Sequence, residues 1–171
     1  GAADHAAVDG DAVLVHRIGG EPPAEGRQDD RHEDDEEQDA QSDQRAPDRE
    51  LVRQLTAQNI PFEAVDRDRL DLGTPEKWRN AFRWRSYRAV INAAAYTAVD
   101  NAETPEGRRE AWAANAHGVA ALASVCEEAN LPLVHVSTDY VFDGTLPVGQ
   151  EYSVAHPISP LSVYGASKAA G

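Results

Sequence analysis

Tyr164 and Lys168 stand four residues apart in the run Ser159-Pro160-Leu161-Ser162-Val163-Tyr164-Gly165-Ala166-Ser167-Lys168. On a helix that spacing puts both side chains on one face. An ammonium beside a phenol favours the phenolate and lowers its pKa from the reference of ~10, so the phenol can exchange a proton with a substrate oxygen nearer neutral pH. In such a pair Tyr164 is the acid and Lys168 its tuner. Two further stretches join them. Val134-His135-Val136-Ser137-Thr138 delivers two hydroxyls at the end of an apolar run, and Asn92-Ala93-Ala94-Ala95 places three small residues just beyond another. Small side chains there permit close approach of a flat cofactor.

These residues need a scaffold, and the apolar pattern predicts one. Leu51, Val52 and Leu55 keep helical spacing from Arg49 to Gln58, and Pro61–Val65 reads as a strand. Thr74 and Pro75 read as an N-cap and first helical residue, opening an amphipathic stretch through Trp78, Phe82 and Trp84. Ala89–Ala93 reads as a buried strand, Pro105 to Asn130 as a long Ala-rich helix, Leu131–Ser137 as another buried strand, and the Tyr164 helix as capped by Ser159. Strands alternating with helices predict an α/β fold, a Rossmann-like parallel sheet with helices on both faces. In such sheets ligands sit outside the carboxyl ends of the strands, where Thr138 and Ala94 fall. The run Ala12-Val13-Leu14-Val15-His16 has strand composition but is followed by Gly and Pro rather than a helix, and is left outside that scheme.

The 171 residues carry a formal net charge of −14, unevenly: residues 1–50 hold 16 acids and 5 bases, residues 51–171 hold 14 and 11. Gly19 to Asp48 has almost no aliphatic residue and includes the unbroken acidic run Glu33–Glu37, a composition that cannot offset chain entropy. Residues 1–48 are therefore expected to form an acidic, disordered segment, of which 19–48 is dispensable to the fold, and residues 49–171 a partial Rossmann-like domain. No basic patch is evident, which argues against nucleic acid as a partner. No run approaches the ~18 apolar residues of a membrane span, so no membrane is expected and the location read is cytoplasmic. The single cysteine, Cys126, reads as a buried, inert thiol, and no Cys cluster for a structural zinc exists, while the acidic segment leaves a tail for metal ions or a basic partner open.

With those residues in hand, the sequence resembles the dTDP-4-dehydrorhamnose reductase family of the extended short-chain dehydrogenase/reductase superfamily. The matching stretches are VINAAAYTAVDNAE at 90–103, Ala113–Asn115, LVHVSTDYVFDG at 133–144 and SPLSVYGASKAAG at 159–171, with RELVRQL at 49–55 and DRDRLDL at 66–72. The resemblance implies NADPH or NADH as cofactor and a dTDP-sugar whose 4-keto group is reduced. It implies Thr138 bonded to the substrate carbonyl, Tyr164 as proton donor, and Lys168 on the nicotinamide ribose. It further implies Asp71 and Leu72 beside the adenine, Ala94, Ala95 and Thr97 along the cofactor, Asn115 near the active site, and Val99 and Asp139 toward the sugar nucleotide. His135 reads as a core or hydrogen-bonded residue. A homodimer and Mg²⁺ belong to the family's full-length form, the latter with no place here. At Asp66-Arg67 an Arg would accept a 2′-phosphate and an Asp a free hydroxyl.

Family members begin with a strand and a G-x-x-G-x-x-G loop running into the first helix, whose N–H groups receive the pyrophosphate. Here QDAQSDQRAPD precedes that helix, and Gly19, Gly20 and Gly26 have a different spacing. The first strand, the glycine loop and the carboxyl-terminal part are therefore expected to be missing. The composition suits out-of-frame translation of the head, so the expectation is an incomplete gene product that is nearly inactive. Two rivals stand beside the reductase: a non-catalytic nucleotide- or partner-binding module of the methionine adenosyltransferase regulatory-subunit type, and a sugar-nucleotide epimerase or dehydratase.

Overall fold

A computed structural model describes the backbone of residues 12–16 and 47–171, with side chains from Arg49 onward. Four parallel strands, β1 (Ala12–His16), β2 (Phe62–Val65), β3 (Tyr87–Asn92) and β4 (Leu133–His135), form one sheet in the order β2-β1-β3-β4. β1 pairs on both sides, Val13 opposite Phe62 and Ala89, with a register irregularity between Ala12 and Val13. The first strand expected to be missing is thus present, and it lies inside the segment expected to be set apart from the fold. Its ladder partners come from residues 62–65 and 87–92, so its local flanks could not announce it. The glycine-loop expectation, and the disorder expected of 19–46, lie outside the described residues; at Pro47 and Asp48, also expected to be disordered, the chain is already helical.

The helices are α1 (Pro47–Ala57), α2 (Pro75–Trp78), α3 (Pro105–Trp112), α4 (Val119–Ala129) and α5 (Val163–Ala170). α1 starts two residues before the expected Arg49 and sets Leu55 against Phe62 and Ile91 on one face of the sheet. Val65, Leu70, Trp78, Val90, Leu122, Val125 and Cys126 form the main core. α1 and α4 end alike. Asn59 and Asn130 adopt φ of 51° and 58°, and the next N–H returns to the carbonyl five residues back, Ile60 to Leu55 at 3.0 Å and Leu131 to Cys126 at 2.8 Å. Asn tolerates this left-handed backbone, and the apolar residue after it packs on the helix it has just left. A proline and a strand follow in both places, Pro61 before β2 and Pro132 before β4.

Four local expectations change. α2 is a single turn: Thr74 makes no capping bond, and Trp78 and Trp84 instead tie their ring N–H groups to the carbonyls of Asp71 and Arg79, each at 2.7 Å. α5 begins at Val163, because Ser162 rather than Ser159 caps it by accepting from Gly165 N–H at 3.0 Å, while Ser159 N–H is bound to Val141 O. β4 is an edge strand of three residues, with Val134 54% and Val136 39% exposed rather than buried. The long helix runs from Pro105 to Ala129 as expected, but Ala113–Gly118 forms a π-helical turn between α3 and α4. No helix of the described residues is long and apolar enough to cross a membrane.

Candidate active site

Along the carboxyl ends of β2 and β3 runs a cleft of about 480 Å³ lined by Arg67, Leu70–Thr74, Ala94–Ala98, Glu110, Ala113 and Ala114. It brings together Asp71, Leu72, Ala94, Ala95 and Thr97, the residues the sequence placed along a cofactor. Its floor depends on Gly118, where a Cβ would stand 2.2 Å from Leu72 O. One rim is held by Asp71, whose carboxylate accepts Gly73 N–H at 3.0 Å and faces Arg67 Nε at 3.6 Å. Thr74 and Glu110 are lining residues that the sequence reading did not assign to a site, and Arg67 is the arginine it set beside a 2′-phosphate.

Tyr164 and Lys168 do not line the cleft; they lie beyond it on α5, both buried. One side chain joins the two regions. The π turn carries Asn115 inward to complete burial, where its Oδ1 accepts Tyr96 N–H at 2.8 Å. Its Nδ2 donates to Tyr96 O at 3.1 Å and to Ser167 Oγ at 3.0 Å. Ser167 Oγ in turn donates to Tyr164 O at 2.7 Å. Tyr96 belongs to the cleft wall and Ser167 to α5, so Asn115 fixes their spacing. π turns recur where a helix must aim a side chain at a site. The role of Ser167 was not read from the sequence; its place beside Lys168 on a buried helix face was the available signal.

Thr138 meets Tyr164. It follows β4 and caps the turn Asp139–Val141, accepting Tyr140 N–H at 3.3 Å and donating to Asp139 Oδ1 at 3.1 Å. Burial raises the Tyr164 pKa above the ordinary phenol value; the Thr138 hydroxyl opposes the rise, while Tyr140 and Asp139 add to it. Tyr140 crosses the Tyr164 ring edge-on at 5.6 Å, and Val99 packs in the same cluster as Tyr164. The lowering by Lys168 expected from the spacing does not occur. Its Nζ is engaged elsewhere, donating to Val136 O at 2.7 Å and lying 3.3 Å from His135 Nε2. Burial lowers the Lys168 pKa. It also lowers that of His135, helped by Lys168, to about 4. Cys126 is buried and its thiol pushed up to about 11, so it is inert. Among the described residues no cluster of His, Cys, Asp or Glu is suited to a metal.

The family model described as the RmlD substrate binding domain matches residues 48–171. The chain belongs to the RmlD substrate binding domain family. Two curated relatives are both named dTDP-4-dehydrorhamnose reductase. That of Sinorhizobium fredii is 41% identical over 107 residues, covering 63% of this chain and 35% of the relative. That of Burkholderia thailandensis is 40% identical over 124 residues, covering 71% and 39%. A solved dTDP-4-dehydrorhamnose reductase from Bacillus anthracis str. Ames, in complex with NADP, superposes with a TM-score of 0.69 at 27% identity, over 94% of this chain and 47% of that one. This member of the RmlD substrate binding domain family thus spans well under half the length of the curated relatives it matches.

Proposed function

We propose that this chain is the cofactor-binding and proton-donating part of an NAD(P)H-dependent dTDP-4-dehydrorhamnose reductase, which reduces the 4-keto group of a dTDP-linked 6-deoxy sugar. The carrying observation is that a buried Tyr164, its Thr138 neighbour and Lys168 stand at the carboxyl end of β4, tied by one asparagine to a cleft walled with alanines. The names of the relatives support the same reading over both rivals.

The cleft fits a nicotinamide dinucleotide. Ala94 and Ala95 keep its wall thin, and Asp71 and Leu72 offer a carboxylate and an apolar edge for an adenosine. Arg67, on the same rim, suits a 2′-phosphate. When bound, the nicotinamide supplies the hydride. The chain's own residues do the rest. Thr138 hydrogen-bonds the substrate carbonyl and orients it, Val99 and Asp139 lie toward the sugar nucleotide, and Tyr164 gives its proton to the oxygen that reduction leaves charged. A phenol whose pKa is raised by burial is held protonated, ready to donate. Lys168 is the cation for the ribose.

The test is deuterium transfer. The chain is joined to the carboxyl-terminal remainder of the Burkholderia relative and given deuterated NADPH with dTDP-4-dehydrorhamnose. The reading expects one deuterium at C4 of the product by mass spectrometry. A folded, NADPH-binding chimaera that leaves the sugar unlabelled overturns it.

A further inference from the structure

Thr138 and Tyr164 meet because a turn and a helix are pressed together, and the pressing is done by backbone. Thr138 opens the turn Asp139–Val141 that follows β4, and Tyr164 sits in the first turn of α5. Three carbonyls of the segment 136–141 face α5 or the residues leading into it. Val136 O accepts from Lys168 Nζ at 2.7 Å, and Val141 O accepts Ser159 N–H at 2.9 Å. Between these two bonds Tyr140 O lies against Gly165, where a Cβ would stand only 2.3 Å from it.

Such a carbon would be hemmed in on three sides. Besides Tyr140 O it would meet Pro160 Cβ and Ser162 Oγ, each at 3.2 Å, and Ser162 Oγ is already engaged as the helix cap by Gly165 N–H at 3.0 Å. Nor does the carbonyl swing away freely. Tyr140 N–H is held by Thr138 Oγ1 at 3.3 Å, and the Tyr140 ring stands edge-on to Tyr164 with centroids 5.6 Å apart. A single residue of the turn thus touches Thr138 through its N–H, Gly165 through its C=O and Tyr164 through its ring. Within a helix glycine is disfavoured relative to alanine, so Gly165 brings α5 no stability of its own. What it supplies is the close approach.

We propose that Gly165 is a positioning residue for the Tyr164–Thr138 pair: by admitting the Tyr140 carbonyl to the helix surface, it sets the separation at which phenol and hydroxyl serve one substrate oxygen. A methyl group at 165 needs an ordinary contact of 3.4 Å or more in place of 2.3 Å, so α5 and the turn part by about 1 Å. Tyr164 moves with the helix and Thr138 with the turn. Misplacement of reacting groups by ~1 Å can cost ~10²-fold in rate. The inference rests on the reductase reading for what the pair acts on, but not for the crossing itself.

The test reads both geometry and rate. In the chain without cofactor, nuclear Overhauser spectra are expected to join the Tyr140 and Tyr164 ring protons in the wild type and to lose that cross-peak in Gly165→Ala. The stacked Phe142–Tyr152 pair, with centroids 4.3 Å apart, should keep its own cross-peak in both. In the chain joined to the Burkholderia remainder, Gly165→Ala is expected to lower kcat by ~10²-fold and to change the NADPH dissociation constant by less than about five-fold. Ala166→Gly, which weakens the same helix but leaves the crossing alone, should keep the Tyr140–Tyr164 cross-peak and most of the turnover. A glycine that serves only stability would change the melting temperature and leave cross-peak and kcat in place in the folded variant. A folded Gly165→Ala with the wild-type cross-peak, or with kcat within about three-fold of wild type, overturns the proposal, as does an equal loss of kcat in Ala166→Gly. Should Gly165→Ala not fold, the wild type still decides: a Tyr140–Tyr164 cross-peak supports the crossing, and its absence overturns it. The spectra use neither cofactor nor sugar, so failed deuterium transfer leaves the crossing standing, and a cross-peak retained in Gly165→Ala leaves the reductase reading standing.

Discussion

The cleft and the Tyr164 end are built by different means. The cleft is shaped by backbone and by what side chains lack: the adjacent alanines 94 and 95, a glycine at the helix crossing, a carboxylate tied to the neighbouring N–H. The Tyr164 end is shaped by buried polar side chains, Asn115 with Ser167 on one side and Asn92 with His135 on the other, each fully committed in hydrogen bonds. A surface made of absent atoms gives contact but no chemistry. A buried polar network gives chemistry, at the risk that losing one member strands the others. Substitutions in the two regions should therefore fail differently.

Tyr164→Phe, in the chain joined to its relative's remainder, is expected to lower kcat by ~10²–10⁴-fold, since it removes alone the hydroxyl proposed as proton donor. Cofactor affinity should stay within about two-fold, because the ring remains. Steady-state kinetics with a separate binding titration checks both. Retention of most turnover would move the proton donor elsewhere. Lys168→Met should differ by also weakening cofactor binding.

Asn115→Ala should be the most costly change to stability. It leaves the partly buried Tyr96 N–H and C=O without this partner and takes one donor from Ser167 Oγ, which keeps its bond to Tyr164 O, at about 1–3 kcal/mol for a group left without a partner, measured by urea unfolding. If its effect is no larger than that of a surface alanine, the two regions are not coupled through this side chain. Gly118→Ala tests the cleft side. The added carbon meets a backbone oxygen rather than a movable side chain, and overpacking of this kind costs ~1–3 kcal/mol. Because Leu72 lies across the contact, cofactor affinity should fall with it.

The smallest effect is a pH dependence. His135 has a folded pKa of about 4 against an ordinary value of 6.5, so the unfolded chain binds more protons between those values. Its contribution to stability is fully present above pH 6.5 and is lost as pH falls toward 4. Melting temperatures over that window should decline, and His135→Gln should flatten the slope.

Most of the fold was legible because long helices and short apolar runs alternate with clear stops, and the Asn-apolar-Pro sequences at 59–61 and 130–132 mark helix ends in both places. What was not legible depended on distant partners. Ala12–His16 is a strand because β2 and β3 bond it. Trp78 ends its helix after one turn because its ring N–H is taken by Asp71 O. The cleft residues were readable from their resemblance, since shape made by Ala and Gly survives in the letters. The direction of Lys168 was not: a four-residue spacing gives the helix face, while the turn of Nζ toward Val136 O and His135 is set by where α5 meets the end of β4.

The central claim is that the alanine-walled cleft receives a nicotinamide dinucleotide beside Tyr164. Equilibrium titration of NADPH and NADH into the purified 171-residue chain and into Ala95→Leu, followed by nicotinamide fluorescence, tests it directly. The account predicts saturable one-to-one binding by the wild type and a loss of roughly ten-fold or more in the variant, about 1.4 kcal/mol, with the fold intact by circular dichroism. A folded wild-type chain that binds neither nucleotide, or an Ala95→Leu chain that binds as well as the wild type, would contradict it.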